Sequence, residues 1–330
     1  MVEYLRLMRF QTAAATASVP VIGGLVMGQD SLKTLAALFL AGLGFHVYGF
    51  VLNEYMDFGV DRKCPDLQKR PLVKGAVPRW QALMIAGLAC VFAFGIMAFF
   101  FLSFSSMLFL LLAFLLGGAY DVFGKKMVGL DLLLGLSFFC LSLFGASPVS
   151  DQYPVLILLV GSVFCVHILF NNAVEGGLKD VDHDAQAGAR TLALVLGVRI
   201  QGRNLRITAQ FVLFAVVLKA VFFFLMLRLS VLPGIHLWSS TRSFLPSTAF
   251  VLLTLAQVWP IQRFLSLREF DREKLKRLFS VHEMASYFML ILVISPLIGL
   301  AMILLLVLIP SIWYLVFNSI LYGKPLQPFV

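Results

Sequence analysis

Charge is scarce in this sequence. Of 330 residues only 13% are Asp, Glu, Lys or Arg, against about 25% in a soluble domain. Acids are the rarer sign, with 17 Asp and Glu beside 26 Lys and Arg. Hydrophobic residues make up 60% and mean hydropathy is +0.94, more than a soluble core can absorb. Cysteine is sparse too. Cys64, Cys90, Cys140 and Cys165 are scattered, and none is paired at metal-ligand spacing. That excludes a disulfide framework and a zinc site. In a soluble protein a net charge of +9 would point to nucleic acid. In so apolar a chain, Lys and Arg belong to the cytoplasmic loops of a membrane protein, and no nucleic-acid partner is expected.

Long apolar runs take the place of charge. A transmembrane helix needs about 20 mostly apolar residues. Nine candidate spans centre on residues 10–28, 34–54, 81–102, 104–120, 129–148, 154–174, 207–228, 244–264 and 284–309. The N-terminal MVEYLRLMRF imitates a signal peptide but shows no clear cleavage site with a polar mature start, so the first span is expected to be retained. Pro296 should kink the last helix, and the apolar tail through Trp313 and Phe317 should extend that helix or lie on the surface. The loops after spans two, four, six and eight hold 6, 2, 5 and 5 Lys/Arg, and the N-terminus adds Arg6 and Arg9. The opposite side holds only Lys33, Arg228, Arg242 and Lys324. By the positive-inside rule the N-terminus and the even-numbered loops face the cytoplasm. The expectation is an integral, multi-pass protein of a cytoplasmic or archaeal plasma membrane, in contact with membrane lipid. The mixed-charge run REFDREKLKR (268–277) reads as a solvated helical linker, and Lys74 and Lys126 read as topology charges.

The few acids cluster. At the end of the second span Asn53, Asp57 and Asp61 recur at i, i+4 and i+8, one face of a helix. At the end of the sixth, Asp180 and Asp184 repeat the i, i+4 pair, with Asn172 eight residues before Asp180 on about the same face. Glu175, Asp182 and His183 are nearby, His183 read as a solvated loop histidine. Carboxylates so placed repel one another unless a cation sits between them. Hard oxygen ligands select magnesium, which is usually held by one or two carboxylates plus substrate phosphates. Two clusters suit two Mg2+ ions bridging one diphosphate. Lys125, Lys69, Arg70 and Arg9 are the candidates for neutralising the rest of that diphosphate. Phe45, His46 and Gly49 precede Asn53 by eight, seven and four residues and are expected to line a cavity on its face, although any one phenylalanine among 32 is more simply packing or lipid contact.

At these residues the sequence resembles the UbiA superfamily of intramembrane prenyltransferases. The shared elements are N-x-x-x-D-x-x-x-D at Asn53, Asp57 and Asp61, R-P-L-x-x-G at Arg70, Pro71, Leu72 and Gly75, and G-x-x-T-L at Gly188, Thr191 and Leu192. Tyr120 followed by Lys125 matches the family's tyrosine and phosphate-binding lysine. The motifs cover roughly residues 6–192 and the topology covers the whole chain. One departure is Gly176, four residues before Asp180, where many relatives carry an acid.

The resemblance implies an all-α membrane protein, with nine transmembrane helices around a central cavity under a cytoplasmic polar cap. It would be one domain over 1–330, with one aspartate motif in each half (about 1–150 and 151–330). It also implies transfer of a prenyl group from a polyprenyl diphosphate, such as geranylgeranyl diphosphate, to an aromatic or glycerol-phosphate lipid acceptor. Asp57, Asp61, Asp180 and Asp184 would be catalytic and, with Asn53, hold the metal. Arg9, Lys69, Arg70, Tyr120, Lys125 and Asn172 would bind substrate. Two rivals remain. A phospholipid-synthesising phosphotransferase would show D-G-x-x-A-R and one aspartate cluster rather than two. An ion-coupled transporter would place its acids near mid-membrane.

Overall fold

In hydrocarbon only a helix or a closed barrel satisfies every backbone N–H and C=O within the protein, and the apolar runs here fold as helices. A computed structural model describes all residues except 63, 236, 239–243 and 327–330. Arg242, counted above among the opposite-side charges, lies outside the described residues. The helices are α1 (Val2–Leu7), α2 (Ala13–Val26), α3 (Leu32–Asp61), α4 (Arg79–Phe100), α5 (Phe104–Phe123), α6 (Asp131–Ala146), α7 (Val155–Phe170), α8 (Gly177–Lys179), α9 (Val181–Ala187), α10 (Leu192–Val195), α11 (Ala209–Ser230), α12 (Phe244–Leu265), α13 (Arg272–Ile294) and α14 (Leu300–Tyr322). One small antiparallel hairpin joins β1 (Arg199–Gln201) to β2 (Asn204–Arg206).

The count of nine spans is revised. Among the described residues, eight helices have the length and composition to cross a membrane, and Phe10–Val26 and Asp131–Ala146 are shorter apolar helices. Two of the nine, at 10–28 and 129–148, are those shorter helices, and the run at 284–309 is two helices rather than one. Pro296 does more than kink that run. A 3-10 turn at Ser295–Leu297 ends α13, and the apolar tail is a helix of its own, α14. The run REFDREKLKR is no plain linker either. Glu269 bridges Asn204 of β2, and the Asp271 side chain caps α13 by accepting from the Lys274 N–H. Large apolar side chains stand on outer faces, Phe224 and Leu252 each at 60% exposure, as suits contact with lipid.

The chain divides into two compact units. The first comprises Met1–Phe123, Leu136–Gly161 and the C-terminal stretch beginning at Leu305. Leu7, Val51, Leu72, Val77, Ala82 and Ala86 form one of its buried clusters. That cluster explains the R-P-L-x-x-G segment. Leu72 anchors the loop between α3 and α4, and Gly75 adopts φ +72°, a left-handed turn that favours glycine. Lys74, 2.6 Å from Glu3, holds the Glu3 carboxyl below the usual range. Helices α2 and α6 meet backbone to backbone: a Cβ on Gly145 would stand 1.9 Å from the Pro20 carbonyl oxygen, and one on Gly23 2.1 Å from that of Ser142. Small residues at such contacts are what allow membrane helices to pack closely.

The second unit comprises Gly124–Gly135 and Ser162–Leu304. Its core gathers Phe170, Val174, Leu178, Phe211, Phe264 and Phe279 from α7, α8, α11, α12, α13 and the turn that follows α7. That turn, Asn171–Gly176, is π-helical. Gly188, at φ +68°, ends α9. Gly145→Ala is expected to lower stability in detergent by about 1–3 kcal/mol, the usual cost of overpacking. Gly95→Ala, with nothing within 4 Å of its Cβ position, should leave the melting temperature unchanged or slightly raised.

Candidate functional site

The first acidic cluster lies in the first unit. Asn53, Asp57 and Asp61 ride on α3, with Asp61 its last residue, and Asp57 and Asp61 are 9% and 1% exposed. Arg70 returns on the following loop and its Nη1 pairs with Asp61 Oδ2. Asn53 Nδ2 donates to Asp121 Oδ1 on α5 at 3.2 Å. Arg9 occupies the break between α1 and α2 at φ 44° and ψ 46°, the one non-glycine residue at positive φ among those described. Its guanidinium lies 5.1 Å from the Phe50 ring centroid and acts electrostatically on Glu54 and Asp121. His46 supports that strained backbone. Its Nε2 is 3.0 Å from the Met8 carbonyl and 3.2 Å from that of Arg9, while Nδ1 is 3.0 Å from the Thr16 hydroxyl. Carbonyls only accept, so Nε2 carries the proton and Nδ1 accepts from Thr16.

The expected cavity wall of Phe45, His46 and Gly49 is therefore corrected in part. Phe45 is buried edge-on against Phe114 and Phe138, with centroids at 5.4 and 5.6 Å, and His46 serves the Arg9 turn. Only Gly49 faces open space. Tyr120 sits on α5 beside Asp121. Lys69 is exposed and, among the described residues, is brought to no carboxylate.

The second cluster lies in the second unit. Asp180 interrupts the helix between α8 and α9, yet the Asp184 N–H still bonds the Asp180 carbonyl at 2.9 Å, so the pair keeps its i, i+4 relation. Lys125 Nζ is 3.9 Å from Asp184 Oδ1, and its backbone carbonyl accepts from the Arg190 N–H at 2.9 Å. Lys179 Nζ is 3.7 Å from Asp180 Oδ2. Asn172 Nδ2 donates to Asp131 Oδ1 at 2.8 Å. His183 is not solvated: it is 6% exposed, with Arg272 at 3.2 Å from its Nε2. Arg272, the first residue of α13, also pairs with Asp182 and donates to the Lys179 carbonyl at 3.1 Å.

Glu175, next to Gly176, does not turn toward Asp180. It is 2% exposed, and its Oε1 lies 2.7 Å from His282 Nδ1. His282 Nε2 is 2.8 Å from Lys219 Nζ, and Lys219 also donates to Ser286 Oγ at 3.2 Å, which donates to Gln257 Oε1 at 2.8 Å. An ammonium only donates, so His282 Nε2 accepts from Lys219, and the proton of a neutral ring then sits on Nδ1, the nitrogen that faces Glu175. Four spans are tied by one chain of buried polar side chains. Removing one partner of a buried ion pair costs about 3–5 kcal/mol. Glu175→Ala and Lys219→Met should each destabilise on that scale, and the double variant by clearly less than their sum, as a double-mutant cycle on detergent unfolding would show.

Whether the acidic residues suit magnesium can be judged from charge. In the first cluster Glu54, Asp57, Asp61 and Asp121 lie within electrostatic reach of one another, with Arg9 and Arg70 among their basic neighbours. Buried charge is tolerated when paired or when it coordinates metal, and this cluster is rich in hard carboxylate oxygen. Among the described residues no three His, Cys, Asp or Glu side chains form a ready-made metal cage. An incomplete protein shell is what magnesium tolerates best, since it completes its coordination with phosphate oxygens and water.

Sequence reasoning missed Glu54, Asp121, Asp131, Arg272 and the Lys219 chain. The available signal was rarity, because an ionisable side chain within an apolar run is seldom there without a partner.

The chain is 27% identical over 235 residues, 70% of its length and 76% of the relative's, to a digeranylgeranylglyceryl phosphate synthase of Pyrococcus furiosus. It is 25% identical over 203 residues, 59% of its length and 69% of the relative's, to a 4-hydroxybenzoate octaprenyltransferase of Cupriavidus pinatubonensis. In fold it is similar to a UbiA homolog from Aeropyrum pernix K1, with a TM-score of 0.67 at 16% identity, covering 87% of this chain and 98% of that one. It is likewise similar to a UbiA homolog from Archaeoglobus fulgidus bound to DMAPP and Mg2+, with a TM-score of 0.63 at 15% identity, covering 88% of this chain and 99% of that one. The model of the UbiA prenyltransferase family matches residues 17–263, and the chain belongs to that family.

Proposed function

We propose that this protein transfers the prenyl group of a polyprenyl diphosphate, such as geranylgeranyl diphosphate, to an aromatic or glycerol-phosphate lipid acceptor with release of diphosphate. The observation that carries the reading is the gathering of buried carboxylates, Glu54, Asp57 and Asp61, at the end of α3, in a chain whose relatives include synthases acting on both acceptor classes.

Asn53, Asp57 and Asp61 would hold one magnesium ion and Asp180 and Asp184 another, at the cytoplasmic ends of their spans. Bound magnesium would take up negative charge as the diphosphate leaves. Arg9, Arg70 and Lys125 supply further positive charge where that charge develops. Lys69, in its exposed position, would meet only the outer edge of the substrate, and Tyr120 and Asn172 would contact the diphosphate. The allylic C–O bond breaks with its electron pair on the diphosphate oxygen. The acceptor forms the new bond to that carbon and gives up a proton. Apolar walls keep water from taking the acceptor's place.

The buried Glu175–His282–Lys219 chain is the one observation that suits an ion-relaying protein instead. Its far end closes on Ser286 and Gln257, which fits a tie between helices better than a conduction path.

The test is purified protein with labelled geranylgeranyl diphosphate, Mg2+ and three acceptors: 4-hydroxybenzoate, dihydroxynaphthoate and geranylgeranylglyceryl phosphate. Diphosphate release and a new lipid product with one acceptor are expected, both abolished by EDTA. Asp57→Ala and Asp180→Ala should each slow turnover on the order of 10²–10³-fold, the usual effect of deleting a transition-state charge stabiliser, with unchanged helix content. Full activity in either variant removes that residue from the proposal. No release together with no magnesium-dependent diphosphate binding would overturn prenyl transfer and turn attention to transport.

A further inference from the structure

One hydrogen bond occurs twice. Asn53 donates its amide N–H to Asp121 in the first unit, and Asn172 donates its own to Asp131 in the second. The sequence positions match as well. Asn53 stands eight residues before Asp61, and Asn172 eight before Asp180. Asp121 and Asp131 are the two ends of the connection that carries Lys125.

A side-chain amide has a donating end and an accepting end, whereas an ionised carboxylate only accepts. In both pairs the amide Nδ2 faces the aspartate, so the amide oxygen is turned the other way. For Asn172 the oxygen falls beside Gly176, with Oδ1 3.8 Å from where a Cβ on Gly176 would stand. Gly176 is four residues before Asp180, so an acidic side chain is missing from the second cluster at that point and an amide oxygen stands next to the gap. An unheld amide could present its NH2 to a cation and repel it. A held one presents only oxygen, the ligand atom magnesium takes.

We infer that Asp121 and Asp131 are positioning residues: each holds an asparagine amide with its oxygen turned to the metal-binding carboxylates, and Asn172 supplies the oxygen that Gly176 does not. This rests on the prenyl-transfer reading. Tying α3 to α5, and the π-helical turn to α6, is the simpler alternative role, and it predicts lost stability with no change in metal affinity.

The test uses the full chain in detergent, titrated with Mn2+ at fixed geranylgeranyl diphosphate, with free Mn2+ read by electron paramagnetic resonance and melting temperature read without metal. Outer partners of metal ligands typically contribute 10–100-fold to affinity. Asp121→Ala and Asp131→Ala should each raise the half-saturating Mn2+ by about 10–100-fold, with the metal-free melting temperature unchanged. Asp121→Asn and Asp131→Asn should lose less, because the new amide oxygen still accepts. They also carry the test if an alanine variant fails to fold. The exchange Asn53→Asp with Asp121→Asn should recover most of the loss, since the pair then donates in the reverse direction and an oxygen ligand remains. Equal losses in the Asn and Ala variants would mean that charge alone matters and would overturn the assignment. Unchanged Mn2+ affinity in folded Ala variants would overturn it too. No Mn2+ binding by the unaltered chain would sink the prenyl-transfer reading, and this inference with it.

Discussion

An ion in hydrocarbon must be paired or expelled, and that constraint organises both units. Moving a carboxylate from water into a medium of low dielectric costs far more than any single contact returns, so acids here recruit basic neighbours. Asp61 has Arg70, Asp184 has Lys125, Asp182 has Arg272, and Glu175 has Lys219 through His282. Each pairing fixes a helix end or a loop that apolar packing alone would leave free to slide. With so few acids in the chain, nearly every one becomes a structural coordinate.

Regular helix satisfies the backbone but cannot aim side chains freely, so polar chemistry collects where the helix is irregular. Arg9 stands in a left-handed break, braced by His46. The π-helical turn at Asn171–Gly176 sends Glu175 toward α13 and Asn172 toward Asp131. Asp180 interrupts the path between α8 and α9. Each irregularity carries local strain or an unmet backbone group, and each is held by a charged or hydrogen-bonded neighbour. Such wide turns within helices frequently mark functional positions.

The part of this that the sequence discloses is the part governed by period. Asn53, Asp57 and Asp61 need only 3.6 residues per turn to share a face, and α3 does run to Asp61. The R-P-L-x-x-G segment likewise reads locally, through the Leu72 anchor and the Gly75 turn. What stays hidden is contact at long range. Asp121 and Asp131 gain their meaning from asparagines 68 and 41 residues away, and His183 is buried by an arginine 89 residues downstream. The span count failed at 284–309 for a different reason. Apolarity continues unbroken past Pro296, so a hydropathy window registers one segment where the backbone makes a turn and starts again. His46 shows the limit of reading a face from spacing, since its position was legible and its task, bracing a strained turn, was not.

The ion pair at Lys219 bears on how the protein is made. A lysine at the centre of a helix resists lateral release into the bilayer by about 2.5–3.5 kcal/mol on insertion scales. Helix α11 is synthesised after Glu175 and before His282, so during translation its positive charge meets its acid first and its imidazole bridge only when α13 emerges. Until then Glu175 is the one member of that chain already synthesised that can offset the lysine's charge. The order of elements along the chain is thus also an order of assembly.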